Sequence, residues 1–273
     1  MHTRNHLGEF LYARRTRTTL EQVELTCDGR RRTSGLRREE VAMLSGVSPG
    51  YYARLEQGRE RQPSIQVLAA LARVFQLDAV ATEHLYDLVS PRRRPREGRF
   101  GDQVPAKVVR LIERWDRAVA FVVNERQDIL AKNRVATALL DGLTYNDNVM
   151  RLLFLDPTAE ELCREWDKEA QLNVAHFRAA VGNDRDEPFI GELINELSAE
   201  SMEFRRIWAR HDVGEPRQTP IRLRHSGVGD LTLWHETLHF ESVPGLSIFV
   251  AEPEPGSLSE GALASLVRTG QAG

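Results

Sequence analysis

The chain has 273 residues, of which 41% are hydrophobic and 28% charged, enough apolar material for two packed domains and too much for a disordered chain. No apolar run approaches the ~18 residues of a membrane span, the longest being AVAFVV at 118–123, and MHTRNHLGEF lacks the apolar core of a signal peptide. A cytoplasmic protein without a membrane partner is expected. The net charge of −3 conceals an asymmetry: residues 1–100 carry 18 arginines against 12 acids (+6), whereas the rest carries 19 bases against 28 acids (−9). A basic front joined to an acidic rear suits a nucleic-acid-binding domain fused to something else.

Leu7, Phe10 and Leu11 have the i, i+3, i+4 spacing of a first helix, and Arg14, Arg15 and Arg17 suit the negative end of its dipole. Residues 18–35 then make a long connection containing Cys27 and ending in GRRRTSG. Arg30, Arg31 and Arg32 there either reach phosphates or a minor groove, or form a solvated basic loop.

Arg38 to Gln57, REEVAMLSGVSPGYYARLEQ, has the spacing of a helix-turn-helix. Ala42 permits close helix crossing, and Gly46 takes the positive φ of a sharp turn. Val47 plugs the corner, Ser48 caps the second helix and Pro49 suits its first position. Tyr52 and Leu55 face Val41 and Leu44, which leaves Pro49, Gly50, Tyr51 and Arg54 outward as a major-groove reader. An ordinary α-hairpin is the plainer alternative. Ser64 caps another helix, with Ile65, Leu68, Leu71, Ala72 and Phe75 on one face, and Thr82 opens a fifth carrying Leu85, Leu88 and Val89.

Residues 7–89 resemble an Xre-type, lambda-repressor and Cro-like domain, and RREEVAMLSGVSPGYYARLEQGRERQPS is similar to a bacterial subgroup whose second half is an MmyB-type ligand-binding domain. The all-α five-helix domain is assigned to residues 1–90. Its expected DNA contacts are Arg54 on a base edge, Arg37 and Arg38 on phosphate, with Ser48, Pro49, Gly50, Tyr51, Arg59 and Arg61 on the same surface. One reading helix covers few base pairs, so a homodimer on a palindromic double-stranded operator is expected.

Residues 91–103, rich in arginine and proline, read as a linker, and 104–273 as an α+β domain. A helix around 107–115 precedes a β-hairpin in AVAFVVNERQDILAKN, and a short helix covers 136–140. Asp156 caps a helix begun by Pro157, expected to run through Leu162, Trp166, Ala170, Val174, Phe177 and Val181 to Gly182. Two more follow, on Phe189–Leu197 and Phe204–His211. IRLRHS, DLTLWHETLHFE and LSIFVAE then read as an antiparallel meander. WDRAVAFVVNERQDILAKN, LLFLDP, EFRRIWARHDV and LTLWHETL resemble the MmyB-type domain, which implies a PAS-like sensor fold for a small, lipid-like ligand.

His235, Glu236 and His239 spell HExxH, a zinc-hydrolase signature when it lies on a helix. Here the flanks are strand formers, which would send Glu236 to the face opposite both histidines. There is no P-loop, GxGxxG after a strand or GxSxG elbow, and no cofactor or metal is expected. Cys163 and Cys27 are too far apart in character to suggest a disulfide.

Arg205, Arg210 and His211 cluster beside Phe204 and Trp208 on one helix. They form either a charged outer face or an anchor for a ligand carboxylate. Phe121, Trp234 and Phe240 join them as candidate pocket lining for a fatty-acid-like molecule. The reading is a ligand-responsive transcription regulator without enzymatic activity. Its competitors are an enzyme with a vestigial DNA-binding domain and a rear interaction module without ligand.

Overall fold

A computed structural model describes residues 5–25, 35–89, 103–181, 188–212 and 219–269. Arg30, Arg31, Arg32, Cys27 and most of the expected linker lie outside the described residues. Contacts divide the chain into two units. One holds the front helices with residues 178–181, 188–191 and 206–212, and the other holds the remainder of the rear.

Five helices build the front: α1 (His6–Arg17), α2 (Arg38–Ser45), α3 (Pro49–Glu56), α4 (Ile65–Val74) and α5 (Ala79–Val89). Phe10, Leu11, Val41, Tyr52, Leu71 and Leu85 meet in one core and are at most 1% exposed. The helix-turn-helix has the expected local causes. Gly46 caps α2 at φ 70°, and the Val47 amide donates to the Ala42 carbonyl at 2.9 Å. Ser48 Oγ accepts the Tyr51 amide at 3.1 Å, starting α3. The fifth helix begins three residues before the expected Thr82, because Asp78 Oδ1 accepts the Ala81 amide at 2.7 Å and acts as the cap.

In the rear, α6 (Ala106–Glu113) leads to β1 (Val119–Val123) and β2 (Ile129–Lys132), the predicted hairpin, followed by α7 (Arg134–Leu139). The long helix expected after Asp156 is interrupted. Asp156 instead ends α8 (Val149–Leu155), accepting the Thr144, Tyr145 and Thr158 amides. A single turn, α9 (Ala159–Leu162), stops at Cys163, whose backbone bridges Leu223 while the Arg164 amide donates to the Arg222 carbonyl at 2.9 Å. Helical spacing continues through this point in the sequence, but an edge strand claims the backbone. Only then does α10 (Trp166–Val181) run, followed by α11 (Pro188–Glu200) and α12 (Met202–Trp208). Cys163 is a free buried thiol whose pKa burial pushes up to about 12, leaving it unreactive at neutral pH.

The last strands are β3 (Ile221–His225), β4 (Gly229–His239) and β5 (Ser247–Pro253), with the unanticipated α13 (Leu258–Thr269) closing the described chain. They form the expected meander. Its final strand also pairs with β1, giving a five-stranded antiparallel sheet in the order β2-β1-β5-β4-β3. Phe249 of β5 lies between Phe121 of β1 and Thr237 of β4. The result is an α+β, PAS-like domain. Odd-numbered residues of β1, β4 and β5 face α7 and α13, while Ala120, Val122 and Ile248 face α6 and the 243–246 turn.

Asn133 ties the hairpin to α7. It is 1% exposed, accepts from the Ala120 and Ala136 amides and donates to the Trp115 and Ala118 carbonyls. Asn133→Ala would leave four backbone groups without this partner and is expected to cost on the order of 3 kcal/mol in urea unfolding. Asn133→Asp, which would set a buried carboxylate against the Trp115 and Ala118 carbonyls, should cost at least as much.

Candidate functional site

The outward surface of α3 is short-chained at its start and cationic one turn later. Ser48, Pro49 and Gly50 are exposed, and Arg54 is exposed with its guanidinium 5.7 Å from the Tyr51 ring centre. Tyr51 departs from the sequence reading. It is half-buried and packs against the front core, so it supports Arg54 from beneath instead of projecting freely. Arg59 and Arg61 are exposed just past α3, with Arg61 Nε donating to the Gly58 carbonyl at 3.0 Å.

The N-terminus of α2 is organised by a buried carboxylate. Glu56, the last residue of α3, has a side chain 2% exposed and accepts from Arg15 Nε of α1 at 2.5 Å and Arg38 Nε of α2 at 2.7 Å. Arg15 also donates to the Leu36 carbonyl at 2.9 Å. Burial alone would raise the Glu56 pKa, but hydrogen bonds from Arg15 and Arg38 hold it below the ordinary carboxylate value. Arg38 was expected simply to reach phosphate; its Nε is committed to Glu56, while its side chain remains 43% exposed. Arg37 is exposed, its amide donating to Glu40 at 2.5 Å. With Arg15, Leu36, Arg38 and Glu39 it borders a shallow cleft of about 210 Å³. The role of Glu56 was missed because a glutamate near a helix end reads as ordinary surface charge.

The rear candidates do not come together. Phe121 stands on the face covered by α7 and α13, whereas Phe240 packs on the opposite side with the α6 cluster, and Trp234 of that same side is 46% exposed. Phe204 is fully buried against Phe154, itself edge-on to Trp166. Arg205 is exposed. Arg210 pairs with Asp212 at 3.2 Å, and Asp212 also takes Arg17 of α1. Trp208 and His211 surround Arg178, which no motif in the sequence singles out. Arg178 is fully buried, its guanidinium 3.8 Å from the Trp208 ring centre, bonded to the Trp208 carbonyl and 3.2 Å from His211 Nδ1.

One aromatic row does form on the sheet. Phe121 and Phe249 stack at 4.7 Å, and Phe249 and His235 stack at 5.5 Å. Beyond the end of that face where Leu231, Leu233 and Ala251 are sealed, Phe249 and His235 are half-buried and Thr237 and His239 exposed. Phe249 was not singled out in the sequence because it sits in a plain strand pattern; its value comes from its two neighbours across the sheet.

Residues 104–266 match the family model for the MmyB-like transcription regulator ligand binding domain, and residues 6–85 match that of a helix-turn-helix domain. The chain belongs to the MmyB-like transcription regulators. No curated protein matches it. This MmyB-like regulator is therefore a DNA-binding transcription regulator with a ligand-binding domain. Its HExxH lies on β4, with His235 and His239 on one face and Glu236 on the other. The helical spacing by which that motif assembles a zinc site is not present on a strand.

Because folded Glu56 binds its proton less readily than in the unfolded chain, its contribution is complete above the ordinary glutamate pKa of about 4.3 and is lost as pH falls through the depressed folded value. Glu56→Gln is expected to flatten this part of the acid limb of the stability curve. It should also lower stability at neutral pH by about 3 kcal/mol, since Arg15, 12% exposed, loses its carboxylate. Guanidinium unfolding at a series of pH values checks both effects.

Proposed function

We propose that this regulator reads a palindromic operator as a homodimer, with Arg54 on a base edge and Arg37 and the free edge of Arg38 on phosphate. The observation that carries this reading is the surface of α3: small exposed residues at its N-terminal end admit close approach to a major groove, and Arg54 follows one turn on, supported by Tyr51. Arg59 and Arg61 add sequence-independent charge. Arg38 has a double task, since it also holds Glu56. Arg37 is therefore the cleaner probe of phosphate binding.

Arg54→Ala is expected to flatten operator preference, losing about 1–3 kcal/mol of discrimination at one base pair. Arg37→Ala should weaken binding to all duplexes alike and reduce the dependence of log K on log salt by about one contact. Selection from a randomised duplex pool, followed by anisotropy titrations at several salt concentrations, measures both. An unchanged selected site with Arg54→Ala would remove it from base readout.

For the rear domain we propose an apolar, fatty-acid-like effector laid along the Phe121–Phe249–His235 row. Support comes from the continuity of that row and its increasing exposure toward Thr237 and His239, where a carboxylate would find imidazoles. Arg210 is less suited to anchoring an anion because Asp212 already neutralises it. Fatty acids of graded length should raise the melting temperature of the full chain, since a ligand bound only to the folded state stabilises it by mass action. Phe249→Ala should abolish that rise. Absence of any shift would favour the reading of the rear domain as an interaction module.

A further inference from the structure

Where a helix ends, its last four carbonyls need partners from beyond the helical ladder. In α3 they belong to Ala53, Arg54, Leu55 and Glu56, and the following turn serves three of them. The Gln57 amide donates to Ala53 at 3.1 Å, the Arg59 and Glu60 amides to Arg54 at 2.9 and 3.2 Å, and the Gly58 amide to Leu55 at 3.1 Å. The fourth carbonyl is met from the start of the chain: Asn5 Nδ2 donates to Glu56 at 2.6 Å. The same side chain is the N-cap of α1, its Oδ1 accepting the Gly8 amide at 3.0 Å. One amide therefore caps the start of α1 and the end of α3.

The surroundings of Asn5 leave it little room. A methyl group on Gly8 would collide with Asn5 Nδ2 and with the Glu56 carbonyl oxygen, and one on Gly58 would collide with Asn5 Cγ. Gly58, at φ 68°, turns the chain out of α3, and the exposed Arg59 and Arg61 come immediately after it. The turn is bonded within itself. Arg61 Nε donates to the Gly58 carbonyl at 3.0 Å, and Glu60 Oε1 accepts the Arg61 and Gln62 amides at 3.1 and 3.3 Å. Its place on the domain is then fixed where Glu56 and Gly58 rest on Asn5.

We propose that Asn5 is a positioning residue for DNA binding, which holds the end of α3 so that Arg59 and Arg61 meet the phosphate backbone already in place. The inference rests on the reading of those two arginines as sequence-independent contacts. A cation on a loosened turn must be ordered when the duplex binds, and that ordering lowers affinity.

Asn5→Ser separates the two caps. Serine caps helices about as well as asparagine, but its side chain is one atom shorter and lacks the amide donor. In the full-length protein without DNA, hydrogen exchange at the Arg59 and Glu60 amides should quicken by about fivefold or more, while Tyr52 and Leu55 of the same helix keep their rates. In anisotropy titrations with a duplex of arbitrary sequence, affinity should fall roughly three- to tenfold and the slope of log K against log salt should drop by about one. In a background of Arg59→Ala with Arg61→Ala, Asn5→Ser should change binding no further, because the groups it positions are gone. Asn5→Gly, also tolerated at N-caps, serves if Asn5→Ser misfolds. Unchanged exchange at Arg59 and Glu60 overturns the proposal. So does an unchanged salt slope, or a loss of affinity that persists undiminished in the Arg59→Ala with Arg61→Ala background, as a purely structural role would give. If Arg59→Ala with Arg61→Ala alone leaves binding unaltered, the phosphate reading fails and the proposal with it; if that pair weakens binding and Asn5→Ser does not, the proposal alone fails.

Discussion

The front domain depends on one buried carboxylate. Glu56 belongs to α3, and the two cations it accepts from belong to α1 and α2, so a single group ties three helices into one register. Taking such a charge out of water is costly, and the cost is met only because two guanidinium groups and the Tyr52 hydroxyl saturate it. Tyr52 is itself buried, and burial raises its phenol pKa, so it stays a neutral donor. Angular freedom between α2 and α3 is restricted twice, by the Gly46 turn in the backbone and by this clamp in the side chains. A major-groove reader needs that restriction, because base contacts form only when the helix keeps its place relative to the phosphate contacts.

The same clamp fixes the position of Arg38. Arg38 meets Glu56 with one edge of its guanidinium and presents the rest at the cleft beside α2. A phosphate there would meet an arginine already held in place, which loses less rotamer entropy on binding than a free side chain would. Arg54 has a similar arrangement on a smaller scale, its guanidinium lying near the half-buried Tyr51 ring. Both guanidinium groups are held by packing within the domain itself.

In the rear domain the organising constraint is the position of β5. Placed between β1 and β4, the last strand joins the early hairpin to the late meander and gives the sheet two chemically different faces. One is closed by α7 and α13 around Leu231, Leu233 and Ala251 and carries the aromatic row; the other, among the described residues, is closed at the α6 end. Because side chains alternate along a strand, neighbours such as Trp234 and His235 are committed to opposite sides of the sheet. Buried asparagines fasten the helices to this frame. Asn133 starts α7, and Asn148, fully buried, starts α8 while bonding the Arg126 carbonyl and Asp128.

The sequence by itself determined the elements whose causes are local. The Gly46 turn, the Ser48 and Ser64 caps, the meander and the placement of HExxH on a strand follow from neighbouring residues, because φ preference, capping and period-two alternation act over a few positions. The surface of α3 was legible for the same reason. Tertiary structure decided whatever required distant partners. A continuous helical period across Cys163 was interrupted by an edge strand some sixty residues away, and α5 began at Ala79, capped by Asp78. Glu56 and Arg178 look like ordinary helix-face charges until folding buries them, and Phe249 is an ordinary strand residue until β5 enters the sheet beside β1. The proposed ligand residues were chosen for chemistry alone, and chemistry does not say which face of a sheet a residue will share. That is set by strand order and register, which depend on long-range pairing and are not encoded in any single stretch of the chain.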